Sequence, residues 1–439
     1  MNSPKAPSYF TLLKTNPGFR NLWYGQVVSE LGDWLNSIAI YMLVMKLGGG
    51  GMAMAITMMA KLMPVFFVSP LAGVLIDRMD RRTILIASDL FRFVVVLCFL
   101  FVDAPGELWL LYSLVVVEIA LAGFFEPARS AMIPSLTKRE ELVTANALSG
   151  STWSVMVAFG AALGGVLVSW FGIQTAFIID ACTFLVSAFF ISRIPKPKPA
   201  VHPSSESKKS FFKDITDAGH YLKSEPEILI LALLKSGLAL AGGIMTLIPF
   251  YAARIYSAPE MISMAIGIIY SGRGIGAALG PPLVRRLFGD STQALRIAIS
   301  TAFFLGAGAY LLFSRSESLF LATASIGLAT LFGSIVWVFS SALIHLQAED
   351  RFLGRIFSLE MALLTLVMGL SNFAVGGLIE TLGWNLQSTA QAIAIVFLLP
   401  GIGWGSYLLF LKRRFKKGEC VGSICPVEPS DAKIPPTSL

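Results

Sequence analysis

Six polar residues, Gln26, Ser29, Glu30, Asp33, Asn36 and Ser37, recur at helical spacings inside the apolar stretch 20-46. On an α-helix they form one stripe. Two are carboxyls, and a carboxyl within an apolar segment is suited to taking up and releasing a proton. Asp33 and Glu30, one turn apart and able to titrate as a unit, are therefore candidate proton carriers. Glu118, inside another apolar stretch, is a third; the alternative is a structural partner for Arg92 or Arg273. Gln26, Asn36 and Ser37 are candidates for a cavity wall; the alternative is a buried hydrogen-bonded network. Lys235 and Arg273 are cavity candidates among the cations at depth, although the Lys235 stem could instead snorkel and Arg273 could be a structural counter-ion. Asp89 and Arg92, at i,i+3, are expected to form a charge pair. Asp180 and Lys61 carry no assigned role.

Each charge at the centre of a membrane helix costs at least ~2.5-3.5 kcal/mol unless it faces a cavity or a partner, so the elements that hold these residues matter. Hydrophobic residues are 55% of the 439 and charged ones 14%; a soluble domain has about 25% charged. The chain reads as a membrane protein. About 20 apolar residues cross a bilayer, and twelve spans are expected at 20-46, 52-76, 83-102, 108-131, 145-171, 174-193, 227-253, 261-283, 293-314, 318-345, 355-380 and 387-411. The N-terminal stretch, with Lys5, Lys14, Pro4, Pro7 and Pro17, shows no apolar signal-peptide core.

Basic residues are unevenly shared between the two sides. Of the 34 Lys and Arg, Lys46, Arg254 and Arg315 fall on one side and Lys61, Arg92, Lys235 and Arg273 within spans; the rest lie on the other side. The positive-inside rule places that basic side, with both termini, in the cytoplasm. The expected domains are a six-helix bundle over 1-193, a linker over 194-226, a second bundle over 227-411 and a basic tail over 412-439. In the linker, Phe211, Phe212, Ile215 and Tyr221 suggest an interfacial helix. The stretch 130-148 aligns without a gap on 341-359, an offset of 211 that also pairs Gly165 with Gly376 and Gly172 with Gly383. Two parallel repeats point to a carrier with a midplane site.

The segment Gly73-Val-Leu-Ile-Asp77-Arg78-Met-Asp80-Arg81-Arg82 resembles the signature between helices 2 and 3 of the major facilitator superfamily, with Asp80 in place of a glycine. Residues 19-40, 125-136 and 145-148 are similar to the third drug:proton antiporter group, which includes macrolide and enterobactin exporters. Helix 5, with Gly160, Gly164 and Gly165, lacks the proline of the antiporter signature. The resemblance implies an all-α membrane protein of twelve transmembrane helices in two pseudo-symmetric bundles, working by alternating access. It also implies a conformational latch of Gly73, Asp77, Arg78, Arg81 and Arg82, in which Asp77 would meet the positive start of helix 11 near Arg355 while the arginines hold the loop against neighbouring acids and lipid headgroups. The alternative is that the arginines only anchor the loop.

An enzyme is not indicated. His202, His220 and His345 are dispersed, and the pair Cys420 and Cys425 has no further ligands nearby, so no metal or other cofactor is expected. Basic residues spread over many segments argue against nucleic acid; 412-417 suits anionic lipid. The expectation is a monomeric, proton-coupled exporter of a small amphipathic molecule in a bacterial inner membrane, its partners being substrate, protons and lipids. A lysophospholipid or siderophore carrier and a non-transporting sensor or scaffold are the alternatives.

Overall fold

Backbone groups in hydrocarbon must be satisfied within their own segment, which makes helices the economical way for these apolar stretches to cross. The structure, a computed structural model, describes residues 7–195, 221–222, 225–289 and 291–416. Its helices are α1 Tyr9–Thr15, α2 Pro17–Lys46, α3 Gly51–Arg78, α4 Arg81–Cys98, α5 Leu108–Leu136, α6 Leu142–Ser192, α7 Pro226–Ala239, α8 Ile244–Ile255, α9 Pro259–Phe288, α10 Thr292–Ser314, α11 Leu319–Gln347, α12 Asp350–Glu380 and α13 Leu386–Lys416. At 51 residues, α6 would be roughly 76 Å long, far more than a bilayer's ~30 Å core. It is two crossings joined at Gly172, whose φ of 82° breaks the helix. Gly383, its partner in the repeat, also has positive φ, 65°, a conformation glycine adopts without a Cβ penalty. α7 and α8 are two pieces of a single crossing, and the total is twelve.

Several ends differ from expectation. α5 continues to Leu136, past Pro127 and Pro134, and α12 begins at Asp350, placing Arg355 inside the helix rather than at its tip. α1 was not expected; Asn16 ends it and caps α2, its side chain accepting from the Phe19 amide at 3.0 Å and donating to the Leu136 carbonyl at 2.8 Å. The seventh crossing, expected to be continuous, breaks at 240–243. Gly242 and Gly243 allow the break, and α12 satisfies it: the Gly243 amide donates to Ser371 Oγ at 3.0 Å, which donates to the Leu240 carbonyl at 2.7 Å.

α2 to α6 pack as one bundle and α7 to α13 as another, joined chiefly where α6 meets α9 and α3 meets α12. Glycines let these backbones touch. Gly165 lies against Gly267 and Ser263, and Gly376 against Gly51 and Met52. These crossings lie on the side of the membrane opposite the termini. Nearer the middle, Ser271 Oγ donates to the Ala158 carbonyl at 2.6 Å and Gly369 lies against Met63. Toward the side carrying the termini, Phe67, Leu71, Trp153, Leu279 and Leu283 are exposed. Among the described residues, the halves meet on one side and part toward the other.

Candidate functional site

Asp33 lies just past the middle of α2. Its side chain is 39% exposed, whereas the Arg92 guanidinium that donates to it from α4 is 2% exposed. Arg92 also lies 3.9 Å from Glu118 of α5 and donates to Ser29 Oγ at 3.4 Å. Its guanidinium sits 4.0 Å from the centre of the Phe184 ring, a cation–π contact. Asn36 donates to Glu118 at 2.7 Å, and Lys61 donates to Ser37 Oγ at 2.8 Å with its ammonium 5.8 Å from the Tyr41 ring. Asp89 and Asp180, both buried, lie within electrostatic reach of Arg92. Four carboxyls thus surround two cations at depth. Carboxyls are chemically able to take up and release protons, so such a set can change its net charge.

Two expectations change here. Arg92 makes its ion pairs with Asp33 and Glu118, not with Asp89. The guanidinium crosses to acceptors on α2 and α5 instead of turning back to Asp89, one turn earlier on its own helix. The stripe on α2 also divides. Asn36 and Ser37 are buried in hydrogen-bonded contacts; Glu30 and Asp33 are the less buried members, the Asp33 side chain being 39% exposed.

One turn toward the termini a second cluster links three helices. Arg129 of α5 donates to Gln26 Oε1 at 2.8 Å and Ser149 Oγ at 2.6 Å, and pairs with Glu126 at 2.7 Å. Gln26 in turn donates to Glu30 at 2.8 Å, so Gln26 is also buried in a network and not on a cavity wall. The other half repeats this plan with different chemistry. Lys235 of α7 donates to Ser341 of α11 and Glu360 of α12, each at 2.7 Å, and lies 4.6 Å from the Trp337 ring centre. The 211-residue offset maps Ser149 onto Glu360, and Gln26 and Lys235 each stand nine residues after the proline that opens their helix. Lys235 is therefore a buried, paired cation whose stem does not reach the membrane surface. Glu360 and Arg129 are functional candidates that sequence reasoning passed over. Arg129 was hidden because the fourth span was ended near it, and the repeat offset was the signal for Glu360.

Arg273 is half-buried beside Tyr41, Tyr270 and Tyr310. Of the latch, Arg81 donates to the Ala131 carbonyl at 2.7 Å, and Arg82 to the carbonyls of Ile191, at 3.3 Å, and Ser192. Both tie the loop to its own bundle. The Gly73, Asp77 and Arg78 side chains lie outside the described residues, as do Phe211, Phe212, Ile215, Cys420 and Cys425. Tyr221 stacks on Phe352 with ring centres 4.2 Å apart.

Residues 8–402 match the family model described as transmembrane secretion effector. The chain is 32% identical over 222 residues to the MFS-type transporter YfiS of Bacillus subtilis (strain 168), spanning 50% of this chain and 52% of that one. It is 26% identical over 396 residues to the putative bacilysin exporter BacE of Bacillus subtilis, covering 87% and 92% of the two chains. With macrolide efflux protein A of Streptococcus pyogenes it shares 23% over 399 residues, 88% and 95% of the chains. The crystal structure of nucleoside transporter NupG superposes with a TM-score of 0.69 at 13% identity, over 90% of this chain and 99% of that one, which shows the shared fold. Twelve crossings, two repeated bundles and this match over most of the length have one meaning: the chain belongs to the transmembrane secretion effector family of major facilitator transporters.

Proposed function

We propose that the chain is a proton-coupled exporter of small amphipathic molecules, with Asp33 as the coupling carboxyl. One observation carries this: Asp33 is open while the cation that holds it, Arg92, is buried behind it. A proton arriving at Asp33 cancels its attraction to Arg92, and a proton leaving restores it. The ion pair thereby links proton occupancy to the packing of α2 against α4 and α5. Relatives named as exporters of bacilysin and macrolides support the outward direction. The positive-inside asymmetry supports a bacterial plasma membrane with both termini, and the parted side of the bundles, in the cytoplasm.

The test is transport by the purified chain in proteoliposomes, with ethidium as an amphipathic cation of permanent charge. An acid lumen should drive ethidium inward beyond the level in protein-free vesicles, and a proton ionophore should abolish the difference. Accumulation that ignores the ionophore removes proton coupling from the account.

A further inference from the structure

Between α3 and α5 lies a groove of about 390 Å³, within the range of small-molecule sites, lined by Lys61, Val65, Ile119, Ala122, Gly123, Glu126, Pro127 and Ser130. Its walls are apolar except at two charged places, and the charges have opposite sign. Gly123 fixes their separation, because a Cβ there would lie 3.2 Å from Val68 and 3.8 Å from the Val65 backbone. The two helices run in the same direction. Lys61 is four residues before Val65 and seven before Val68, and Glu126 is three after Gly123, so at 1.5 Å per residue their backbones lie about 10 Å or somewhat more apart along the axes.

Both charges keep room for a ligand. The Lys61 ammonium gives one N–H to Ser37 and has two more. Glu126 is paired with Arg129, yet its side chain is 52% exposed, and each carboxylate oxygen can accept a further bond. Arg129 is held by Gln26 and Ser149, so Glu126 need not release it. Neither Lys61 nor Glu126 makes an ion pair with Asp33 or Arg92 among the described residues.

We propose that this groove binds a small zwitterion with an apolar body, its anionic group on Lys61 and its cationic group on Glu126, about 10 Å apart. The inference rests on the transport reading above, since it makes the groove part of the substrate path. A molecule bearing only one of the charges leaves the other wall charge facing an apolar ligand, which lowers its affinity. Charge separation, beyond mere amphipathicity, then decides which molecules are carried.

Three probes of one body test this. An extended tripeptide spans roughly 10 Å, so Ala-Phe-Ala carries both charges, its N-acetyl form only the anion and its C-terminal amide only the cation. Binding to the full chain in lipid nanodiscs is measured for each by displacement titration. The zwitterion should bind about tenfold or more tighter than either derivative. Lys61→Met should erase its advantage over the amide and keep that over the N-acetyl form; Glu126→Gln should do the reverse. Each variant is thus its own control for folding. Equal binding of the three probes, no binding of any, or preferences untouched by both substitutions overturns the inference. Ionophore-sensitive ethidium transport by the same preparation separates the two readings: if it persists without a charge preference, only the zwitterion site falls.

Discussion

Arg92 holds the site together because it is the cation that two carboxyls of other helices share. Deleting one partner of a buried ion pair costs about 3–5 kcal/mol, since the remaining charge is stranded. Arg92→Met should accordingly lower the thermal midpoint of the detergent-purified chain sharply, and adding Asp33→Asn should recover part of it; a double variant no more stable than the single would show that the pair carries no coupling. Outside the membrane, Glu107 shows the ordinary behaviour of an exposed carboxylate with hydrogen-bond donors. Amides of Asp103 and Ala104 donate to it at 2.9 and 3.1 Å, and these bonds hold its carboxyl below the usual carboxylate range. Its contribution to the 103–107 turn is therefore full above about pH 4.3, the ordinary glutamate value, and is lost as pH falls through the depressed one. The protection factors of those amides, that is their exchange relative to the intrinsic rate at each pH, should fall in acid in the native chain and be low at every pH in Glu107→Ala. Asp33, Glu30 and Glu118 were legible in the sequence because a carboxyl stands out in an apolar run. Arg92 beside Glu118 is one of the readings the sequence offers, whereas its pairing with Asp33 is not, since a guanidinium's reach across three helices depends on packing that spacing along one helix does not encode.

At the scale of elements, the two halves use one plan with different polar groups. Lys235 and Glu360 occupy the places of Gln26 and Ser149, and Glu360 Oε1 is buried without a hydrogen-bond partner among the described residues. Lys235→Ala should destabilise the chain by several kcal/mol by leaving Glu360 unpaired. Lys235→Gln combined with Glu360→Ser, which copies the other half, should restore the midpoint most of the way toward wild type. The close crossings give a second expectation. A Cβ at Gly165 would lie 2.6 Å from the Ser263 carbonyl and 3.1 Å from the Gly267 backbone, so Gly165→Val must push α6 from α9 at a cost of about 1–3 kcal/mol. Thiol labelling of single cysteines near Ser263 from the side opposite the termini should rise; unchanged labelling would mean the crossing does not close that side. The twelve spans and the turn glycine at 172 were readable from hydropathy and the repeat. The break at 240–243 was not, because Gly242 and Gly243 sit within an unbroken apolar run and Ser371, which satisfies it, belongs to a helix far along the chain.

Among the described residues the two bundles touch on one side and part toward the other, with Asp33 near the middle of α2, its side chain 39% exposed and its ion-pair partner Arg92 buried behind it. In the proposed cycle the glycine crossings loosen while the parted faces close, and protonation of one carboxyl is the trigger. Sequence alone reached the superfamily, the two-bundle fold and this residue; it did not show which side is open, because that depends on how the bundles lean rather than on what either contains. The most direct measurement compares wild type and Asp33→Asn in proteoliposomes by two assays on one preparation. The amide keeps the size and part of the hydrogen bonding of the acid but does not titrate. Ethidium exchange with no gradient should continue in the variant at a rate within a few-fold of wild type, while accumulation driven by an acid lumen should fall to the protein-free level. Gradient-driven accumulation in Asp33→Asn at the wild-type rate would contradict the account.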